Sequence, residues 1–240
     1  DQAKKSIWLE FYILDEAGEV ERVLSALERA SARGVDVFLA LDSAGSRSFF
    51  NSDRERELRS KGVKVLELLP VLPLRLWLER QDLRVHRKIV VIDSRIAWTG
   101  SMNLVDPEHF NIDAGVGQWV DSMIRITGPA AVLLKSIVLN DWQVETGRNL
   151  FPRLRDIEVL PAEGSTVCQL APSGPASPDD SVEEILLAAI YGAKSRVRLT
   201  TPYFVPGDAL VTAIKTAAHR GVKVSLIVPK KSDSKLVALA

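Results

Sequence analysis

Residues 86–103 read HRKIVVIDSRIAWTGSMN, with polar positions in the order H-x-K-x4-D-x6-G-S-x-N. Two short β-prone runs, 89–92 and 96–99, separate His86 and Lys88 from Asp93, and Asp93 from Gly100, Ser101 and Asn103. Strand alternation sends His86, Lys88 and Val90 to one face. Arg87, Ile89 and Val91 then take the other. An imidazole and an ammonium point the same way, about 6–7 Å apart along the strand. A phosphate suits that pair: the ammonium binds its oxygens while a ring nitrogen attacks phosphorus. Ser101 and Asn103, in a turn opened by Gly100, add neutral donors for the same oxygens.

The pattern closely resembles the HKD motif of the phospholipase D superfamily. Its continuation, GSMNLVDPEHFNIDAGVGQWVDSMIRITGP, resembles the bacterial cardiolipin synthase branch. That resemblance implies an α/β fold built from layered α-β-α units. It also implies a phosphatidyltransferase that moves a phosphatidyl group between phosphatidylglycerol molecules through a phosphohistidine. His86 would be the nucleophile, Lys88 and Asn103 would hold the phosphate, and Ser101 would assist. Asp93 would fix the motif strand. Asp121, facing with Met123 and Arg125 on a strand predicted over 120–126, would orient the ring, with Asp113 as the alternative. The family implies no metal and no cofactor. Phospholipase D, phosphodiesterase or nuclease activity on the same scaffold stays open, as does a non-catalytic phosphate-binding fragment.

Composition narrows the partners. The chain has 240 residues, 31 basic and 31 acidic, so no global field recruits nucleic acid and none is expected as a partner. Hydrophobic content of 46% and charged content of 26% fit an ordinary globule. From residue 190 onward nine Lys/Arg face two Asp, which reads as a solvated face or as a phosphate-facing surface. The single cysteine, Cys168, excludes an internal disulfide and reads as a buried structural thiol. His109 and His219 lack partners at metal-ligand spacing. No run of about eighteen apolar residues suggests a membrane span. A chain that opens without Met, almost directly in a strand pattern, reads as a piece of something longer.

Residues 70–83, PVLPLRLWLERQDL, crowd apolar side chains between two prolines just before the motif. They read either as a loop over its own small core or, beside a phospholipid-type motif, as a lipid-facing rim. Leu74, Leu76, Trp77 and Leu78 would form that rim, with Trp77 at a membrane surface. A membrane-associated protein, of the bacterial inner membrane in its full length, is the corresponding expectation.

Elsewhere, strand and helix patterns alternate. Strands are predicted over 7–14, 35–41 and 63–69, and helices over 19–33, 54–61 and 130–144. Residues 1–150 read as one phospholipase D-like unit, the Pro- and Gly-rich stretch 151–180 as a linker, and 181–240 as an incomplete second unit. AKSRVRLTTPYFV from Ala193 echoes AKKSIWLEFYIL from Ala3, and each copy continues through a helix closed by Arg-Gly-Val. Two copies of one unit explain this most simply. No second H-x-K occurs in the 240 residues. A phosphodiester transfer needs a general acid besides its nucleophile. The expectation is that these residues alone are inactive, a second half or a second chain being needed for the complete site.

Overall fold

The computed structural model describes residues 1–70, 84–150, 160–162, 164–174 and 181–232. The predicted lipid-facing residues Leu74, Leu76, Trp77 and Leu78 lie outside the described residues. The polypeptide forms two units: Asp1–Asn111 with Gln118–Pro175, and Ile112–Gly117 with Ala176–Ala240.

The first unit is built on a six-stranded sheet. Its strands are β1 (Ser6–Phe11), β2 (Asp36–Asp42), β3 (Lys64–Leu68), β4 (Ile89–Ile92), β5 (Ile96–Gly100) and β6 (Met123–Thr127). The spatial order is β3-β2-β1-β4-β5-β6. β1 and β2 run parallel, as do β2 and β3. β4, β5 and β6 add antiparallel strands on the other side of β1. Helices α1 (Val20–Ala32) and α2 (Asp53–Ser60) make the parallel crossovers, and α3 (Pro129–Thr146) follows β6.

β1 is buried along nearly its whole length, as a strand covered on both faces must be. Ile7, Leu9 and Phe11 pack with Leu24 and Leu27 of α1 and Leu58 of α2. Trp8 points the other way, into a core with Phe38, Leu134, Val138 and Trp142. The Trp8 and Phe38 rings stack at 3.6 Å, and Trp142 meets both edge-on. Such an aromatic pair adds about 0.5–1.5 kcal/mol beyond its buried area. The result is the α-β-α layering expected from the alternating patterns.

Gly100 ends β5 for a steric reason. A Cβ there would sit 2.1 Å from the Ser122 carbonyl oxygen and 2.9 Å from the Met123 Cα. Only a bare backbone lets β6 approach so closely.

The second unit contains α4 (Ser181–Gly192), β7 (Arg196–Thr200), α5 (Asp208–His219) and β8 (Lys223–Ile227). β7 and β8 pair in parallel, as β1 and β2 do. The repeat extends to individual hydrogen bonds. Gly34 and Gly221 both have φ +84°. Val35 N–H donates to the Ala30 carbonyl and Val222 N–H to the Ala217 carbonyl, each at 3.1 Å. Asp36 N–H reaches the Lys5 carbonyl at 3.1 Å, and Lys223 N–H the Ser195 carbonyl at 3.0 Å. One corner is thus built twice.

Three sequence expectations need correction. Residues 86–88 are not strand, because β4 begins at Ile89. The predicted strand over 120–126 begins at Met123, so Asp121 precedes it. Cys168 is exposed rather than buried, in a stretch without helix or strand.

Candidate active site

Of the predicted site residues, His86, Lys88 and Asn103 meet at the end of β1. Phe11 closes the strand, and Tyr12 and Ile13 continue the chain. The Tyr12 ring meets the His86 imidazole edge-on, with centroids 4.1 Å apart. The Lys88 ammonium lies over the same ring, 5.6 Å from its centroid, and donates to the His86 carbonyl at 2.7 Å. His86 and Lys88 therefore share one aromatic wall, although no strand aligns them.

Ile13 brings in the second half of the motif. Its N–H donates to Asn103 Oδ1 at 3.1 Å, and its carbonyl accepts from Leu104 N–H at 3.0 Å. With the amide oxygen so used, the NH2 of Asn103 is the end left to donate. Ser101 extends the β5–β6 ladder: its N–H reaches the Ser122 carbonyl at 3.0 Å, and its Oγ accepts from Ser122 N–H at 3.1 Å. Its hydroxyl proton is not used in that bond.

Asp93 sits at the opposite end of β4 from His86. Its carboxylate accepts from the N–H groups of Lys4 (2.9 Å), Lys5 (2.7 Å) and Ser6 (2.9 Å), clasping the start of β1. Its own φ is +53°, a left-handed turn that aspartate tolerates better than most residues. Asp121 acts on Lys88: burial lowers that ammonium's pKa and Asp121 opposes the fall. Asp113, the alternative carboxylate, lies in the 3-10 turn Ile112–Ala114 of the second unit.

The imidazole is electrostatically biased toward its free base. Burial lowers the His86 pKa first, then the Lys88 ammonium; Arg84 adds to the fall and Asp42 opposes it. A neutral ring with an available nitrogen lone pair is what attack on phosphorus requires. Among the described residues, no group of three or more His, Cys, Asp or Glu is placed to hold a metal ion.

The family model described as cardiolipin synthase, PLD-like domain, matches residues 1–122 and 186–240. The chain belongs to this family. Cardiolipin synthase A of Pectobacterium atrosepticum is 50% identical over 99% of the chain and 49% of its own length. Cardiolipin synthase A of Yersinia pseudotuberculosis is 47% identical, with the same coverage. The chain thus spans about half the length of these relatives. A phosphatidylserine synthase structure from Haemophilus influenzae matches with a TM-score of 0.61 and 17% identity, over 95% of this chain and 57% of that one. A polyphosphate kinase structure from Porphyromonas gingivalis matches with a TM-score of 0.53 and 15% identity, over 98% of this chain and 36% of that one. At such identities the structures speak for the fold alone.

Three features of this cardiolipin synthase-like domain escaped the sequence reading. One is the aromatic wall, Tyr12. Another is the Asp42–Arg84 pair behind His86: Asp42 is fully buried and Arg84 Nη2 donates to its Oδ1 at 2.8 Å. The last lies on the α3 side of the sheet, where Arg87 Nη1 stands between Glu10, 3.5 Å away, and Asp141. Burial pushes the Glu10 carboxyl up to about 7, with Arg87 opposing. Only Asp42 carried a readable signal: a lone carboxylate at the end of the apolar run VFLALD.

Proposed function

We propose that the chain supplies the nucleophile of a cardiolipin synthase-type phosphatidyltransferase. What supports this most is the grouping of a free-base-biased His86, the Lys88 ammonium and Asn103 around Tyr12 and Ile13. A His86 ring nitrogen attacks the phosphorus of phosphatidylglycerol, and the bond from phosphorus to the glycerol oxygen breaks. The glycerol leaves after taking a proton from a general acid. A hydroxyl of a second phosphatidylglycerol gives up its proton, attacks the phosphohistidine and releases the ring. Lys88, Asn103 and Ser101 donate to the phosphoryl oxygens, where negative charge grows in each transition state.

In this reading the general acid comes from a second half of the protein or from a second chain. Leu74, Leu76, Trp77 and Leu78 would face lipid, and the enzyme would work at a membrane surface, in the bacterial inner membrane. Among the described residues no helix is long and apolar enough to cross a membrane.

The test is acid-quench trapping on the full-length protein with labelled phosphatidylglycerol. Label bound to His86, absent in His86→Ala, supports the reading. Cardiolipin formation without a labelled protein, or with label on another residue, contradicts it.

A further inference from the structure

A buried ion pair holds the backbone one residue before His86. Asp42 ends β2, where it is 0% exposed, and the Arg84 side chain is 10% exposed. Arg84 Nε donates to both Asp42 oxygens at 3.1 Å, and Nη2 donates to Oδ1 at 2.8 Å. Nη2 also reaches Ser43 Oγ at 2.8 Å and the Leu69 carbonyl at 3.0 Å. Asp42 Oδ2 accepts from Val85 N–H at 3.1 Å, while Oδ1 accepts from Ala44 and Gly45 N–H at 2.9 and 3.1 Å. The pair therefore ties the end of β2, through Asp42, and the residue after β3, through Arg84, to the stretch that precedes His86.

Stability does not explain the choice of ions. A well-packed apolar pair of similar volume is often as stable as a buried ion pair, whereas removing one partner of such a pair strongly destabilises a fold. The directionality of the bonds offers another reason. No β-ladder holds residues 84–88, so the backbone leading into His86 needs some other anchor. Asp42 provides it through Val85 N–H. Gly45 completes the arrangement: a Cβ there would sit 2.3 Å from the Tyr12 carbonyl oxygen and 2.9 Å from its ring. The loop that carries the anchor is thereby pressed against the wall on which the imidazole rests.

We propose that Asp42 and Arg84 are positioning residues, whose buried pair fixes the backbone at Val85 and so sets where the His86 imidazole can reach. The proposal deepens the phosphatidyltransferase reading and rests on it for its kinetic consequence alone. The charges of the pair also act on the ring: Asp42 raises the His86 pKa and Arg84 lowers it, behind the larger effects of burial and Lys88.

The test has two arms. In the first, the His86 ring is titrated by NMR in the 240-residue chain, its signal assigned by loss in His86→Gln. Asp42→Asn should move the midpoint down, Arg84→Gln should move it up, and the double variant should return it toward the parent. The opposite signs follow from the charges alone, so positioning is read in Arg84→Lys, which keeps the charge: its midpoint should still shift, because the ring leaves its buried place. In the second arm, the full-length protein is assayed on phosphatidylglycerol vesicles. Arg84→Lys keeps the charge but loses the fork, so kcat should fall about a hundredfold with KM unchanged, the effect of a reactive group displaced by about 1 Å. If Asp42→Asn fails to fold, Arg84→Lys and the charge-free double variant replace it. Titration midpoints that do not move, with kcat within threefold of the parent in folded Arg84→Lys, overturn the proposal. Retained turnover in His86→Ala overturns the phosphatidyltransferase reading instead, and the titration arm still decides the positioning role.

Discussion

The Tyr12 ring stands edge-on to the His86 imidazole at a centroid separation of 4.1 Å. The same ring lies beneath the Lys88 ammonium. Both contacts use the aromatic body and neither uses the hydroxyl. Tyr12→Phe should therefore leave the His86 titration within a few tenths of a pH unit of the parent. Tyr12→Ala admits water to the ring, and because burial is the first cause of the lowered pKa, the midpoint should rise toward its ordinary value. NMR titration of the two variants checks this. A midpoint unchanged in Tyr12→Ala would assign the desolvation to other neighbours.

On the proposed mechanism, turnover separates His86 from Lys88 and Asn103. In the full-length protein His86→Ala should lose activity by many powers of ten, because an uncatalysed phosphodiester is extremely inert. Lys88→Ala and Asn103→Ala should each cost about a hundredfold or more in kcat, the range for one transition-state donor. Asn103→Ala should also lower thermal stability, since its Oδ1 holds Ile13 N–H. A normal kcat with lowered stability would make Asn103 structural alone.

Asp93 should be felt in folding and little in the pKa of His86. Asp93→Ala frees three N–H groups at the start of β1 and leaves alanine at φ +53°. A loss of roughly 2–4 kcal/mol is expected. Asp93→Asn keeps an acceptor and tolerates that φ, so it should lose less than half as much. Urea unfolding gives both values. The His86 titration should hardly move in either variant, since the whole of β4 separates the two residues.

Glu10 predicts a pH dependence of stability. Its pKa rises from 4.5 to about 7 in the folded chain, chiefly through burial. Between those values the folded protein keeps a proton that the unfolded chain has lost. Stability therefore falls as pH rises through that window, by roughly 3 kcal/mol in all, and this contribution levels off above it. Glu10→Gln removes the titrating group while keeping its shape. Urea midpoints at pH 5 and pH 8 should differ less in the variant than in the parent, and an equal difference would assign the slope to other groups.

The layered fold and the motif were legible because both write themselves locally. The run IWLEFYIL, the α1 stripe and the Arg-Gly-Val corners carry their own periodicity. The segment 86–88 misled because alternation is an average property of strands, and here a distant carboxylate, Asp42, takes the N–H of Val85 just before it in place of a ladder. Tyr12 was hidden for the opposite reason. In the sequence it is one aromatic residue in an apolar run, and its role appears only when β4 is laid beside β1. The same long-range pairing buries Glu10 opposite Ile89 and carries Arg87 to it. A charged residue inside a strand pattern does not announce its partner. Cys168 shows the limit of composition: one thiol without neighbours says little about where its stretch of chain will lie.

The twice-built corner has a use of its own. A Cβ at Gly34 or at Gly221 would meet nothing within 4 Å, and both residues have φ +84°. Exchange for alanine at either place therefore carries the same backbone strain, roughly 1–2 kcal/mol, with no collision added. The polypeptide contains a matched pair of gauges. When the two variants are melted side by side, the chemistry of the exchange cancels and what is left is cooperativity. If the units unfold independently, each gauge reads its own transition and leaves the other untouched. If they unfold as one block, both gauges register the same loss.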